Sequence, residues 1–261
     1  MGILNITPDS FSDGGKYFDS ILNIEKVMQD AVQMERDGAD FIDIGGESTR
    51  PGSESITIDQ ELERVIPVIS EIIKKINIPV SIDTYKHEIA EEALKAGATI
   101  VNDISGFKFD DKIAEVTAEH NAGCILMHIK GTPKDMQQNP VYENVVEEVY
   151  DYLKDSIKIA KSFGITKIIT DVGIGFGKTL GHNLELIRNL KRFKDLNYPV
   201  LLGVSRKSFI DKIYPSKINE RLEATISANT IGIMNGAGIL RVHDVLENKR
   251  AARIADRILN N

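Results

Sequence analysis

The sequence holds a single cysteine, Cys124, so no disulfide can close within the chain, and a lone thiol fits a reducing cytoplasm. It contains no apolar run near the roughly 20 residues that a membrane helix needs, which excludes a spanning segment. Basic residues are in deficit: 32 Lys and Arg stand against 39 Asp and Glu, a formal net charge of −7. That balance argues against non-specific nucleic-acid binding and leaves room only for a local basic pocket. Five histidines beside one cysteine do not supply a dedicated zinc cage. The first residues carry neither a basic leader nor a long apolar stretch, so no signal peptide is expected, and Ile6 breaks the myristoylation pattern.

What remains is ordinary globular composition, with 42% hydrophobic and 27% charged residues in 261, as expected of a soluble, cytoplasmic, single-domain protein. Short runs rich in Ile and Val recur at 2–6, 40–45, 79–83, 99–103, 123–128, 167–172, 199–204 and 238–243. Such runs suit strands buried on both faces, as a parallel sheet requires. Stretches with helical spacing lie between them, at 21–36, 59–76, 144–163 and 220–235. Gly38, Gly97 and Gly164 each follow a helical tract and fit C-caps leading into strands. Eight strand–helix units predict an α/β protein, a single-domain (β/α)8 TIM barrel spanning 1–261. A doubly wound open sheet would announce itself with a glycine-rich first turn, and Asn5-Ile6-Thr7-Pro8-Asp9 is not one.

Several motifs are near misses. The segment 173–179 (GIGFGKT) resembles a phosphate loop, but Val172 stands where the first glycine is required. His87-Glu88 lacks a second histidine at position 91, and Ser205 has no nucleophile elbow around it.

In a barrel of this kind the chemistry sits at the carboxyl ends of the strands. Here those ends are polar in every unit: Asn5, Asp43, Asp83, Asn102-Asp103, His128, Asp171, the run Ser205-Arg206-Lys207-Ser208, and Arg241 with His243. A buried carboxylate or amide costs several kcal/mol unless something satisfies it. A full ring of them facing one mouth points to a polar small-molecule ligand. Arg241 and His243 alternate along the last strand and so face one side, where Arg offers a fork matched to phosphate oxygens.

The residues in this order resemble dihydropteroate synthase, a pterin-binding TIM-barrel family. The likeness is carried by GILNITPDSFSDGG at 2–15, DIGGESTRPG at 43–52, SIDT at 81–84 and NDISG at 102–106. It continues through MHIKGTPKDMQ at 127–137, DVGIGFGKT at 171–179, GVSRKSF at 203–209 and RVHDV at 241–245. The chain begins almost on its first strand, so a few leading residues usual in the family are expected to be missing before Met1. Val172 departs from the family, which commonly has Pro after the strand-six aspartate.

The resemblance implies a cytoplasmic folate-biosynthesis transferase. It would join 6-hydroxymethyl-7,8-dihydropterin pyrophosphate to 4-aminobenzoate, giving 7,8-dihydropteroate and pyrophosphate with the help of Mg²⁺. It also implies a homodimer, a sulfonamide target, and no nucleic-acid or membrane partner. By resemblance, Asp83, Asn102, Met127, Asp171, Phe176, Gly203 and Lys207 bind the pterin. Residue chemistry agrees, since Asp171 can accept two N–H bonds and Asn102 supplies both a donor and an acceptor. Asn5, Thr49, Arg50, Arg241 and His243 would hold pyrophosphate, with Asn5 an oxygen ligand for Mg²⁺. Phe11, Ser12, Thr49, Pro51, Lys207 and Ser208 would shape the aminobenzoate site, with Ser208 on its carboxylate. The catalytic set implied is Asp9, Arg50, Lys207 and Arg241, with loops 7–15 and 47–53 as lids.

Plainer readings apply to some neighbours. Asp43 and Asp103 are expected to tie the mouth together, His128 to be a hydrogen-bonder rather than a base, and Arg206 to pair with an acidic residue. Two other functions fit a pterin barrel. A methyltransferase would need no pyrophosphate site, which Arg50, the Ser205–Ser208 run and Arg241 argue for. A non-catalytic pterin-binding partner would show damaged loops, and both loops look intact.

Overall fold

The strands among the described residues are short and mostly apolar, and all but the second and the seventh end on a polar residue or beside one. The computed structural model describes residues 1–7, 17 and 22–260. The strands are β1 (Gly2–Asn5), β2 (Ile42–Gly45), β3 (Val80–Asp83), β4 (Ile100–Asp103), β5 (Gly123–Met127), β6 (Ile168–Asp171), β7 (Val200–Leu202) and β8 (Ile239–Leu240). They pair in sequence order, all in parallel. Ile3 N–H donates to Val242 O at 3.1 Å and Val242 N–H to Met1 O at 3.0 Å, which closes the last strand onto the first. The result is the (β/α)8 barrel. β8 is shorter than the run 238–243 suggests, yet its ladder continues, because Arg241 N–H donates to Leu202 O at 3.0 Å.

Among the described residues the helices are α1 (Ile24–Arg36), α2 (Ile58–Ile72), α3 (His87–Lys95), α4 (Ile113–Glu119) and α5 (Val145–Ser162). They continue with α6 (Leu180–Arg188), α7 (Leu190–Phe193), α8 (Ser208–Ile213), α9 (Leu222–Met234) and α10 (Val245–Leu259). The helical tracts at 21–36, 59–76, 144–163 and 220–235 correspond to α1, α2, α5 and α9, with ends within a few residues. Thr57 opens α2 with a capping box, and the Asn144 side chain accepts from Val146 and Glu147 at the start of α5. Gly38, Gly97 and Gly164 take φ of 93°, 114° and 82° after α1, α3 and α5, a left-handed turn that a Cβ resists. No helix among them is long and apolar enough to cross a membrane.

The main core lies between the sheet and its helices. A smaller cluster joins Ile100, Ile125, Ile169, Leu201 and Ile239 with Met1 and Phe41. Side chains from five neighbouring strands can meet only inside the barrel, so this cluster fills part of its interior with apolar packing.

Candidate active site

Sheet register, not local sequence, assembles the mouth. Asn5 pairs with Gly45, Gly45 with Asp83, and Asp83 with Asn102, so these strand ends form one row. Met127 pairs with Asp171 further round the barrel.

Arg241 is the hub. Its Nε donates to Asp43 Oδ2 at 2.7 Å, and its Nη2 lies 2.6 Å from that oxygen and 2.7 Å from Asp83 Oδ2. Asn102 Nδ2 donates to the same Asp43 oxygen at 3.0 Å. Asp43 therefore ties the mouth together, as its sequence position suggests. The other oxygen of each carboxylate, Asp43 Oδ1 and Asp83 Oδ1, is buried without a hydrogen-bond partner among the described residues. Burial pushes the Asp83 carboxyl up to about 7 against the pull of Arg241, and the nearby Asp43 charge adds to the rise. A carboxyl so poised, with a buried acceptor left over, is suited to a ligand N–H.

Asp171 closes β6, and its Oδ1 accepts the Gly173 N–H at 2.7 Å. Burial raises its pKa, opposed by the Lys207 charge. Val172 is fully buried in the main core, so packing and this hydrogen bond fix the turn without the family proline. Gly203 follows β7, and a Cβ there would meet Asp171 Oδ2 at 3.8 Å and the Arg241 Cβ at 3.9 Å. The bare glycine keeps the space over both residues open.

Lys207 precedes α8, with its Nζ bonded to Ile174 O and 4.5 Å from the Phe176 ring centroid. Burial pulls its ammonium down to about 8, with Asp171 opposing and Arg241 assisting. Phe176 packs with Met127, Ile104, Ile129 and Met136 in a separate apolar cluster, a flat wall for a ring. His243 N–H donates to Ser205 Oγ at 3.2 Å, and the same hydroxyl meets His243 Nδ1 at 2.9 Å. With the hydroxyl donating to Nδ1, the ring proton sits on Nε2. Burial, with Arg241, Arg206 and Arg50 nearby, lowers His243 to about 3, so it offers a neutral N–H donor.

These groups face a cavity of about 600 Å³. Asn5, Thr49, Arg50, Pro51, Asp83, Phe176, Lys207, Ser208, Arg241 and His243 all line it. Asn102, Met127, Asp171 and Gly203 are buried behind this lining. Asp9, Phe11 and Ser12 lie outside the described residues.

The plainer readings also have their partners. Asp103 accepts from Ser105 N–H, Ser105 Oγ and Phe107 N–H at 2.7–2.8 Å, a local tie. Arg206 Nε donates to Asp244 Oδ2 at 3.0 Å. His128 is buried with its Nδ1 2.8 Å from the Lys178 ammonium, and burial with that charge holds it well below the usual histidine range. Lys178 itself, nearly wholly buried, also donates to Phe176 O at 2.8 Å and so pins the phenylalanine's turn. Sequence reading missed this pairing, although an intended signal was there: a lysine in a failed phosphate loop still needs acceptors. It also missed Tyr85 and Lys86, and placed Glu47 in a lid loop without its partners, because these contacts span tens of residues and leave no local pattern.

Comparison with known proteins bears on this mouth directly. The family model described as pterin binding enzyme matches residues 1–243. The dihydropteroate synthase of Clostridium beijerinckii is 49% identical, covering 99% of this chain and 93% of its own. The solved dihydropteroate synthase of Clostridium difficile, determined in the presence of pteroic acid, is 46% identical with a TM-score of 0.91, covering 100% and 96%. That of Xanthomonas albilineans with 4-aminobenzoic acid is 36% identical, also with a TM-score of 0.91, covering 100% and 93%. With its polar strand ends, its cationic rim and these full-length matches, the chain belongs to the dihydropteroate synthases of the pterin-binding enzyme family.

Proposed function

We propose that this chain joins 6-hydroxymethyl-7,8-dihydropterin pyrophosphate to 4-aminobenzoate, releasing 7,8-dihydropteroate and pyrophosphate. One observation carries the reading beyond family membership. Asp83 and Asn102 at neighbouring strand ends share the mouth with Arg241, which is paired to Asp83, and with Lys207, whose charge acts on Asp171, so one mouth can hold both an N–H-rich heterocycle and an anionic leaving group.

Asp171 and Asn102 read the donor and acceptor edge of the pterin, and Asp83 accepts a further ring N–H through its unpartnered oxygen. Phe176 and Met127 supply the flat wall, while Lys207 borders both substrates. The bond from the pterin methylene carbon to oxygen breaks with its electron pair leaving on pyrophosphate. The aniline nitrogen forms the new bond to carbon and gives up a proton to solvent. Arg50, Arg241 and the Nε2–H of His243 stabilise charge gathering on the leaving group from fixed positions. Thr49, Pro51 and Ser208 hold the aminobenzoate.

Asn5 fits Mg²⁺ by its chemistry, since a neutral amide oxygen on the cavity wall suits a cation that keeps waters and shares substrate phosphates. When bound, Mg²⁺ would supply positive charge to the pyrophosphate. A homodimer is part of the same reading, supported by exposed Ile231 and Met234 on α9 and Ile254 and Ile258 on the adjacent α10. So is a cytoplasmic location, which suits the buried free thiol of Cys124.

The deciding experiment measures pyrophosphate release from the pterin pyrophosphate with and without 4-aminobenzoate, in Mg²⁺ and in EDTA. Mg²⁺-dependent release with stoichiometric dihydropteroate is expected. Tight pterin binding without release would overturn the reading in favour of a methyltransferase or a binding protein.

A further inference from the structure

The loop between β2 and α2 carries Thr49, Arg50 and Pro51, and Pro51, Gly52, Glu54 and Ser55 on it are exposed. Its two ends converge on one side chain. Lys86, on the turn between β3 and α3, donates from Nζ to Glu47 Oε2 at 2.6 Å, where the loop leaves the sheet. The same ammonium donates to Ile56 O at 2.9 Å, where the loop returns to enter α2. Its third bond reaches Glu61 Oε2 at 2.7 Å, in the first turn of α2. All three protons of one ammonium are thus spent on two loop ends and the helix behind them.

The anchor is reinforced from each side. Glu47 Oε2 also accepts the Ile56 N–H at 3.2 Å, and Glu47 Oε1 accepts from the Tyr85 hydroxyl at 2.6 Å. Tyr85 packs against the cluster holding Met127 and Phe176, so the staple is in touch with the apolar wall of the cavity. Glu61 is 1% exposed and Lys86 14%, so the ion pairs are shielded from water, where charge-assisted bonds hold geometry best. The two carboxylates keep Lys86 above the ordinary lysine range despite its burial. Beyond the staple, the loop meets the segment after β5 through Gly52 N–H to Pro133 O at 2.9 Å and an exposed Lys134–Glu54 pair at 3.5 Å.

We propose that Lys86 is a positioning residue: by stapling Glu47 to Ile56 it sets where the loop presents Thr49 and Pro51 to the second substrate, 4-aminobenzoate. It touches neither substrate itself, and the inference rests on the synthase reading above. Small displacements of such groups cost about ten- to a hundredfold in rate or apparent affinity.

The test uses Lys86→Cys in the full chain, followed by alkylation with 2-bromoethylamine, which rebuilds a lysine-like ammonium. Cys124 is buried and burial raises its thiol pKa, so the engineered thiol reacts selectively. For Lys86→Cys, the KM for 4-aminobenzoate should rise about tenfold or more. Amide exchange should quicken across 48–55 and not in β3 or β4, while the Kd for 6-hydroxymethylpterin stays within about twofold. Aminoethylation, verified by mass, should restore the KM. An unchanged KM, exchange raised across the whole barrel, or no rescue after complete modification would each overturn the proposal. Should Lys86→Cys not fold, Glu47→Gln weakens the same staple and must raise the KM with the same loop-confined exchange. Failure of wild-type protein to form dihydropteroate would instead overturn the synthase reading.

Discussion

Arg241 Nη2 sits 2.7 Å from Asp83 Oδ2, joining β8 to β3 across the barrel mouth although 158 residues separate the two in the chain. The same guanidinium holds Asp43, so one cation is shared between two carboxylates that otherwise repel. This arrangement gives Arg241 a structural duty besides the proposed one toward pyrophosphate, and the two duties can be separated.

Arg241→Met should cost about 3 kcal/mol of stability, because removing one partner leaves buried charges uncompensated. Adding Asp83→Asn should recover about half of that loss, while turnover stays abolished in both variants. Urea unfolding and initial rates measure the two effects. A double variant no more stable than the single one would show that the guanidinium acts by packing, not by charge.

Lys207 supplies a pH limb to catalysis. Burial pulls its ammonium down to about 8, so above that pH it loses its proton and with it the cationic donor it offers the substrates. The kcat/KM for the pterin pyrophosphate should therefore fall by about tenfold per pH unit on the alkaline side. Lys207→Arg keeps its charge at all accessible pH, so its slower rate should be flat there. A limb that survives in Lys207→Arg would assign the titration to another group.

Much of this mouth could be read from the sequence, and the division is physical. Strand positions follow from short Ile and Val runs, and strand-end residues such as Asn5, Asp83, Asn102 and Asp171 from the rule that barrels put chemistry there. The helices α1, α2, α5 and α9 follow from apolar spacing, and the left-handed glycines from their place after helices. Relations across the chain could not be read the same way. Whether Arg241 turns toward Asp83 or outward, and that Lys86 gathers Glu47, Ile56 and Glu61, depend on the sheet register and on loop paths. Lys178 looked like part of a failed motif, because its acceptor His128 is 50 residues away.

Asp171 should be indispensable to turnover without being indispensable to the fold. Its Oδ1 anchors only the Gly173 N–H, whereas its other oxygen adjoins the space that Gly203 leaves open. Asp171→Ala should lower kcat by at least about a thousandfold while costing about 1–2 kcal/mol for the lost turn bond. Lys207→Ala should behave alike in rate. Circular dichroism and turnover on the same preparations decide it; near-wild-type rates in well-folded protein would remove either residue from the site.

His243 links the site to acid stability. Its pKa falls from the ordinary 6.5 to about 3 in the folded protein, through burial and the surrounding arginines. Above pH 6.5 neither folded nor unfolded chain protonates it, and its contribution is present in full. As pH falls from 6.5 toward 3 the unfolded chain takes up a proton that the native one refuses, so stability is lost over that window. The wild type should lose on the order of 1 kcal/mol more per pH unit than His243→Asn between pH 6 and 4. Comparing the two proteins cancels His128, whose pKa is also depressed but which both retain. Parallel curves of unfolding free energy against pH would mean that His243 is protonated as readily in the folded protein as in the unfolded one. It would then carry a positive charge below about pH 6.5, where burial and the surrounding arginines otherwise keep the ring neutral.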